Sequence, residues 1–366
     1  MNVRDVDHVE FYVGDARQAA QYLCSAYGFR AYGYGGPETG LPGQCSVLLG
    51  QHRIRILLTS GLHQDHPASQ FVARHGDGVA VLAFSTDDAA TSFNEAVVAG
   101  CTGLSGPRTW ADGAAAVVTA EVAGFGDVAY RLVERHGPRA SFLPGAIEMA
   151  AGADSAGEDD LLHVIDHAAV CVPVGELDAT IALHERAFGF AVTFQEYIEV
   201  GDQGMRSKVV RNPSGGITFT FIEPDISRRP GQIDDFLAWH GGSGVQHVAF
   251  LTNDIVRAVR ECADRGVEFA STPSSYYDGL AARLGATALE VDALRPLGIL
   301  VDRDNWGQMY QIFAKSTHIR RTYFTELIDR HGGRTFGTNN IPALYAAKER
   351  ELAGIRDTAG PSPSRF

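Results

Sequence analysis

The feature that most constrains this chain is an internal repeat. VDHVEFYVGDARQAAQYLCSAYGFRAYGY near the start is matched by IDHAAVCVPVGELDATIALHERAFGFAVTF after residue 160. Both begin with Asp-His in an alternating apolar strand, pass through a helical stretch ending in Gly-Phe, and enter a second strand. Gly28 and Gly189 stand where each helix needs a C-cap. The correspondence continues from GDGVAVLAFSTDDAATSFNEAVVAG (76–100) to GSGVQHVAFLTNDIVRAVRECADRG (242–266). Each reads as a strand, an Asp-rich turn able to cap a helix, and a helix ending in Gly. A third pair is AYRLVERHG (129–137) and FTELIDRHG (324–332). Each half is therefore expected to be a tandem pair of β-α-β-type modules, an α+β fold rich in antiparallel strands. A chain of 366 residues has the length for two such domains. The small, polar, acidic segment MAAGADSAGEDD is expected to be a linker over 149–160. It divides a domain at 1–148 from one at 161–352, and residues 353–366 are expected to form a frayed tail.

The two halves are alike in pattern and unlike in chemistry. His8 aligns with His167, Val81 with His247, and Arg131 with Glu326. The second half thus has His, His and Glu where the first has His, Val and Arg. A purely structural repeat gives no reason for such a set in one copy only. The three lie about eighty residues apart in apolar segments, VIDHAAVCV, VQHVAFLT and TYFTELID, which a cupped sheet can bring together. Two imidazoles and one carboxylate form the ligand set of the facial triad, which leaves positions open on Fe(II) for a bidentate substrate and O2. His8 is read as an ordinary core or surface histidine, because its own half lacks matching ligands.

Composition narrows the partners. The formal net charge is −13, and Lys and Arg are scattered, so nucleic acid and anionic membranes are poor partners. No apolar run approaches the length of a membrane span, and the charged N-terminus has no signal core, so a cytoplasmic protein is expected. The five cysteines are far apart, include no CxxC pair, and are read as reduced thiols.

At this point the residues resemble a known family. IDHAAVCV, PGQIDDFL, GVQHVAF, TPSSYYD, ILVDRD, QIFAKSTH, TELIDRHG and FGTNNIPALY are similar, in order and spacing, to 4-hydroxyphenylpyruvate dioxygenase and its relative 4-hydroxymandelate synthase. The resemblance runs over nearly the whole chain. It implies a vicinal-oxygen-chelate fold, glyoxalase/bleomycin-resistance-like, with tandem βαβββ modules forming two open barrels. It implies that His167, His247 and Glu326 hold Fe(II) and that O2 is the co-substrate. The first half is then a non-catalytic scaffold that also offers a surface for a homodimer. The substrate is an aromatic 2-oxo acid whose own oxo and carboxylate groups chelate the metal. Motif position further implies that Gln232, Gln246, Gln311 and Asn340 orient the substrate, and that Phe313, Phe324 and Phe336 enclose its ring. A helix from about 338 to 352 acts as a lid, and TPSSYYD (272–278) forms a turn and strand pair beside the site.

The branch of the family is read from three places. In FTFIEPD (219–225), Thr220 and Ile222 stand where ring-hydroxylating relatives have Pro and Asn. In FGTNNIPALYAAKE (336–349), Asn340, Ile341 and Tyr345 follow the mandelate-forming branch. In MRSKVV (205–210), Ser207 can meet the distal ring substituent. Together they imply hydroxylation of the benzylic carbon and, by analogy, a place in secondary metabolism. Thr325 departs from both branches, where a bulky apolar residue is usual. Its side chain is expected on the strand face opposite Glu326. Pro342 is a second departure, near a helix start where proline is tolerated. Three other readings remain: a homogentisate-forming dioxygenase of the same fold; a non-catalytic binding or resistance protein, which would have no need of the His-His-Glu set; and a zinc or nickel lyase, isomerase or extradiol dioxygenase on related modules, against which the lid-helix motif and the QIF strand speak.

Overall fold

The computed structural model describes residues 1–137, 141–150, 157, 160–337, 339, 340 and 343. The same order of elements occurs twice. In the first half it is β1 (Val3–Tyr12), α1 (Ala16–Tyr27), β2 (Arg30–Gly35), β3 (Gln44–Gln51), β4 (Ile54–Gly61), α2 (Pro67–His75), β5 (Gly78–Thr86), α3 (Ala89–Val98), β6 (Gly103–Asp112), β7 (Ala115–Ala123) and β8 (Ala129–His136). A two-residue strand, β9 (Glu148–Met149), adds to the edge at β2. In the second half it is β10 (Val164–Cys171), α4 (Leu177–Phe188), β11 (Ala191–Val200), β12 (Gln203–Arg211), β13 (Thr218–Pro224), α5 (Gln232–His240), β14 (Gly244–Leu251), α6 (Ile255–Asp264), β15 (Leu300–Arg303), β16 (Gln308–Phe313) and β17 (Phe324–His331). Each half is a βαβββ module, a joining helix and a second βαβββ module, as the repeat predicts.

The helices begin and end where the sequence has the chemistry for it. Asp15 caps α1 by accepting from the backbone N–H groups of Arg17 and Gln18. Asp88 and Asp254 cap α3 and α6 in the same way, through Thr91 and Arg257. Gly28 (φ 78°) and Gly189 (φ 68°) close α1 and α4 in the left-handed conformation, which costs a residue with a Cβ.

Each half forms one curled sheet. The first runs β6-β7-β8-β5-β1-β4-β3-β2-β9 and the second β11-β12-β13-β10-β14-β17-β16-β15. In both, the modules meet at one antiparallel pair, β1 with β5 and β10 with β14. Each strand of that pair has a parallel partner on its outer side: β4 and β8 in the first half, β13 and β17 in the second.

Two sequence expectations need correction. The expected linker does not start at 149, because Met149 pairs with Gly33 in the first sheet. Its far end is also tied down, since Arg30 donates to both Asp160 carboxylate oxygens at 2.8 and 3.2 Å. TPSSYYD is not a strand pair: Ser274–Asp278 is a short helix. Its two tyrosines are buried, and their hydroxyls donate to the backbone carbonyls of Val301 and Ile299 at 3.0 Å. A pair of phenols with acceptors in a neighbouring strand is satisfied without a strand of its own. The tail at 353–366 and most of the expected lid lie outside the described residues.

Candidate metal centre and substrate cavity

The sheet register explains how distant residues converge. His167 on β10 faces Ala249 on β14, Ala249 faces Glu326 on β17, and Glu326 faces Phe313 on β16. One row across the sheet thus reads His167, Ala249, Glu326, Phe313. The adjacent row on the same face reads Thr220, Ala169, His247, Phe324. The methyl groups of Ala169 and Ala249 sit between the longer side chains and leave room for a shared partner.

The three side chains do meet. Nε2 of His167 lies 3.3 Å, and Nε2 of His247 3.2 Å, from the same Glu326 oxygen. Each of the three offers a ligand atom within 4.8 Å of the others, and all three are buried. Two ligands at right angles on a metal at ~2.1 Å stand about 3 Å apart, so the spacing suits one ion. The nitrogen and oxygen donors, with no thiolate, suit iron.

The charge state of the group fits the same conclusion. Burial opposes a charge on His167, yet the Glu326 and Asp166 carboxylates outweigh it and lift the imidazole to about 9. Burial likewise opposes the Glu326 carboxylate, but His167 and His247 hold it down to about 2. Burial pushes His247 below its ordinary value. A buried carboxylate here needs a cation, and a proton on His167 serves when nothing else does.

The histidines are held differently. His167 Nδ1 bonds to Asp166 at 2.8 Å, which leaves Nε2 to face Glu326. Asp166 in turn accepts two bonds from Arg330, both at 2.7 Å. Phe336 meets the His167 ring edge-on at 4.9 Å. Nδ1 of His247 has no hydrogen-bond partner. Its ring is set instead by stacking on Phe324 at 4.9 Å and 26°.

The first half repeats the support without the centre. His8 Nδ1 bonds Asp7 at 2.7 Å, Asp7 accepts from Arg135 at 2.6 and 2.7 Å, and Phe142 meets His8 edge-on at 4.8 Å. Where Glu326 would stand is Arg131, whose guanidinium lies 3.1 Å from His8 Nε2 and 2.7 Å from carboxylate oxygens of Glu10 and Glu121. A fixed cation fills the place. His8 is therefore a buried, engaged histidine, with Arg131 rather than a carboxylate facing its Nε2.

A cavity of about 500 Å³ opens from the triad within the second half. Gln232, Gln246 and Gln311 line it, with Phe313, Phe324 and Phe336. So do Ser207, Thr220, Ile222 and Asn340. Ile341 and Tyr345 lie outside the described residues. Thr325 faces the other way, into an inter-sheet cleft with Tyr27 and Tyr323. The sequence reading did not include Asp166 and Arg330, although Asp-His and Arg-His-Gly each recur in both halves. It also did not include Glu196, Ile198 and Met205, which line the cavity wall opposite the triad.

The comparisons with known proteins follow the same division into halves. The chain matches the Glyoxalase/Bleomycin resistance protein/Dioxygenase superfamily over residues 5–127 and 164–292. It is 31% identical over 369 residues to a 4-hydroxyphenylpyruvate dioxygenase of Yarrowia lipolytica, covering 96% of this chain and 92% of that one. It is 34% identical over 361 residues to the enzyme of that name from Caenorhabditis elegans, covering 94% and 91%. A solved structure of a triple mutant of 4-hydroxymandelate synthase from Streptomyces coelicolor superposes with a TM-score of 0.85 at 41% identity. That match covers 96% of this chain and 100% of the other.

Proposed function

This chain belongs to the family of 4-hydroxyphenylpyruvate dioxygenase and 4-hydroxymandelate synthase, and we propose that it acts on 4-hydroxyphenylpyruvate or a close aryl 2-oxo acid. In this reading it decarboxylates the substrate oxidatively and hydroxylates the benzylic carbon, giving 4-hydroxymandelate and CO2. The observation that carries the benzylic outcome is the 41% identity with 4-hydroxymandelate synthase, against 31% and 34% for the two relatives named 4-hydroxyphenylpyruvate dioxygenase. The wall at Thr220 and Ile222 supports it, since Ile222 offers the ring no hydrogen bond and favours a different tilt.

His167, His247 and Glu326 would hold Fe(II), which when bound supplies O2 activation and a Lewis acid for the 2-oxo acid. Asp166 orients His167 for that task, and Arg330 holds Asp166. One divalent charge less one Glu326 carboxylate leaves a single positive charge. The substrate carboxylate cancels it at the centre, and no Lys or Arg lines the cavity among the described residues. Gln246 and Gln311 orient the substrate's polar end through their amides. Phe313, Phe324 and Phe336 hold its ring and exclude water. The first half is proposed to be scaffold, its Arg131 standing where the second half takes its metal.

Product identification tests the reading. The anaerobically Fe(II)-loaded protein is mixed with 4-hydroxyphenylpyruvate, exposed to air, and the product assigned by NMR, because the two candidate products are isomers. A benzylic CH–OH signal on a para-substituted ring is expected. A trisubstituted ring with an intact CH2 would replace this reading with homogentisate formation.

A further inference from the structure

A second cavity shares a wall with the metal cavity, because Phe324 lines both. It lies between the two halves and has a volume of about 350 Å³. The first half supplies Ala19, Leu23 and Tyr27, which form one face of α1. The second half supplies Phe250 and the segment that joins β16 to β17, through Lys315, His318 and Tyr323. Thr325 forms the floor with Tyr27 and Tyr323, and all three are buried. Thr325 is the position where the resemblance calls for a bulky apolar residue. A small side chain there leaves open a floor that a larger one would fill.

The lining says what kind of ligand fits. Its buried residues include Phe11, Ile56, Leu58 and Phe250, and none of them is charged. The charged groups stand at the mouth and are already engaged. Asp15 caps α1, Asp77 accepts from the Gly14 N–H at 2.8 Å, and Lys315 pairs with Glu268 at 3.0 Å. An ionised ligand would lose its hydration on entering and gain no partner in return. At the floor the hydroxyls of Tyr27 and Tyr323 both reach Thr325. Each hydroxyl has more lone pairs than protons, so the cluster keeps an acceptor for a donor that arrives. An apolar cavity of about 150 Å³ holds benzene, so this one has room for a substituted ring.

The cavity also touches the metal centre from behind. Phe324 stacks on His247 at 4.9 Å and meets Phe313 edge-on at 6.0 Å. Thr325 precedes Glu326 in β17, and the loop over the cavity joins Phe313 at the end of β16 to Phe324 at the start of β17. We propose that this cavity is an effector site: it takes a neutral, single-ring phenol whose hydroxyl meets the Thr325 cluster, and its occupant acts on the metal cavity through Phe324. Binding there is independent of the aryl 2-oxo acid reading, whereas the effect on turnover rests on it.

The test uses p-cresol as the probe and toluene as its counterpart without the hydroxyl. Binding to the Fe(II)-loaded protein is measured anaerobically by calorimetry, with and without saturating 4-hydroxyphenylpyruvate to occupy the metal cavity. p-Cresol is expected to bind in both conditions. Thr325→Val keeps the shape and removes the hydroxyl, so it should weaken p-cresol by about fivefold and leave toluene unchanged. Ala19→Trp, on the half-buried face of α1, should fill the cavity and abolish binding of both. In turnover, p-cresol should change kcat at saturating arylpyruvate, and Ala19→Trp should remove that response. No binding, full displacement by 4-hydroxyphenylpyruvate, or affinities untouched by both substitutions would overturn the proposal. Binding with kcat unaltered would overturn the effector role. A change of oligomeric state in Ala19→Trp, read by sedimentation, would make the cavity an interface between copies and overturn the proposal as well. If no arylpyruvate is turned over while p-cresol binding responds to both substitutions, the binding site stands and the aryl 2-oxo acid reading falls.

Discussion

The proposed ligands are distinguished by what stands behind them. His167 is held by a buried Asp166–Arg330 pair, whereas His247 relies on stacking against Phe324. Replacing Asp166 with Asn removes the charge that orients the first imidazole while keeping its shape. Metal affinity should fall ten- to a hundredfold, read by competition with a chelator. Unchanged affinity would mean that Asp166 matters only for folding. In the first half the equivalent question is one of stability. Arg131 neutralises Glu10 and Glu121 in a buried setting, so Arg131→Leu leaves carboxylates without a cation. The expected cost is about 3–5 kcal/mol in urea unfolding. A cost below about 1 kcal/mol would show that water reaches the carboxylates. The triad was legible in the sequence because the repeat supplies an internal control at every position. Asp166 and Arg330 recur in both halves and so were not singled out, since a feature shared by both copies does not separate function from fold.

At the scale of elements, strand pairing determined what could be read. Residues on β10, β14 and β17 stand out because apolar strands make a His or Glu conspicuous. β11 gives no such contrast. Its sequence AVTFQEYIEV alternates as an edge strand should, with Glu196 one of several polar residues. Alternation puts Glu196 and Ile198 on the face that lines the cavity and Glu199, paired with Arg228, on the other, but only the curl of the sheet says which face meets the site. The segment after β17 shows a second effect of close approach. Gly337 has φ 81°, and a Cβ there would stand 2.3 Å from the Gln311 amide. Gly337→Ala should therefore strain the backbone by about 1–2 kcal/mol. It should also displace Gln311 and raise KM by up to about tenfold while kcat changes little. An unaltered KM would remove Gln311 from the substrate-orienting set. The neighbouring Asn340 side chain lies 2.7 Å from the Tyr276 hydroxyl, whose one proton it shares with the Val301 carbonyl, and this contact ties the start of the expected lid to the short helix at Ser274–Asp278.

At the scale of the molecule, the two halves share one core. Tyr130 of the first half bonds His184 of the second at 2.5 Å. Phe84 and Tyr130 pack with Phe188 and Phe219 across the same boundary. The sequence showed two copies but not this seam, because each aromatic looks like an ordinary core residue of its own half. A shared core predicts a single unfolding transition, with circular dichroism and tryptophan fluorescence coincident. Two separated transitions would mean independent domains. Acid should weaken the same seam. Burial pushes His184 and His240 down to about 4, below the ordinary 6.5 of an unfolded chain. Between those values the unfolded state binds more protons, so stability rises with pH across the window from about 4 to 6.5. Below it the buried carboxylates Asp7 and Asp166 take over, because their arginine partners hold them under the usual carboxylate range despite burial. Their contribution is present above about 3.9 and is lost as pH falls further.

The central claim is that the repeat carries two copies of one scaffold and one metal centre, built by His167, His247 and Glu326. Anaerobic Fe(II) titration with a count of bound metal per chain tests it most directly, with the native chain set beside His247→Ala and a first-half control, His8→Ala. One Fe(II) per native chain, one in His8→Ala and none in His247→Ala is the predicted result. Two per chain, or one that persists in His247→Ala, would contradict it.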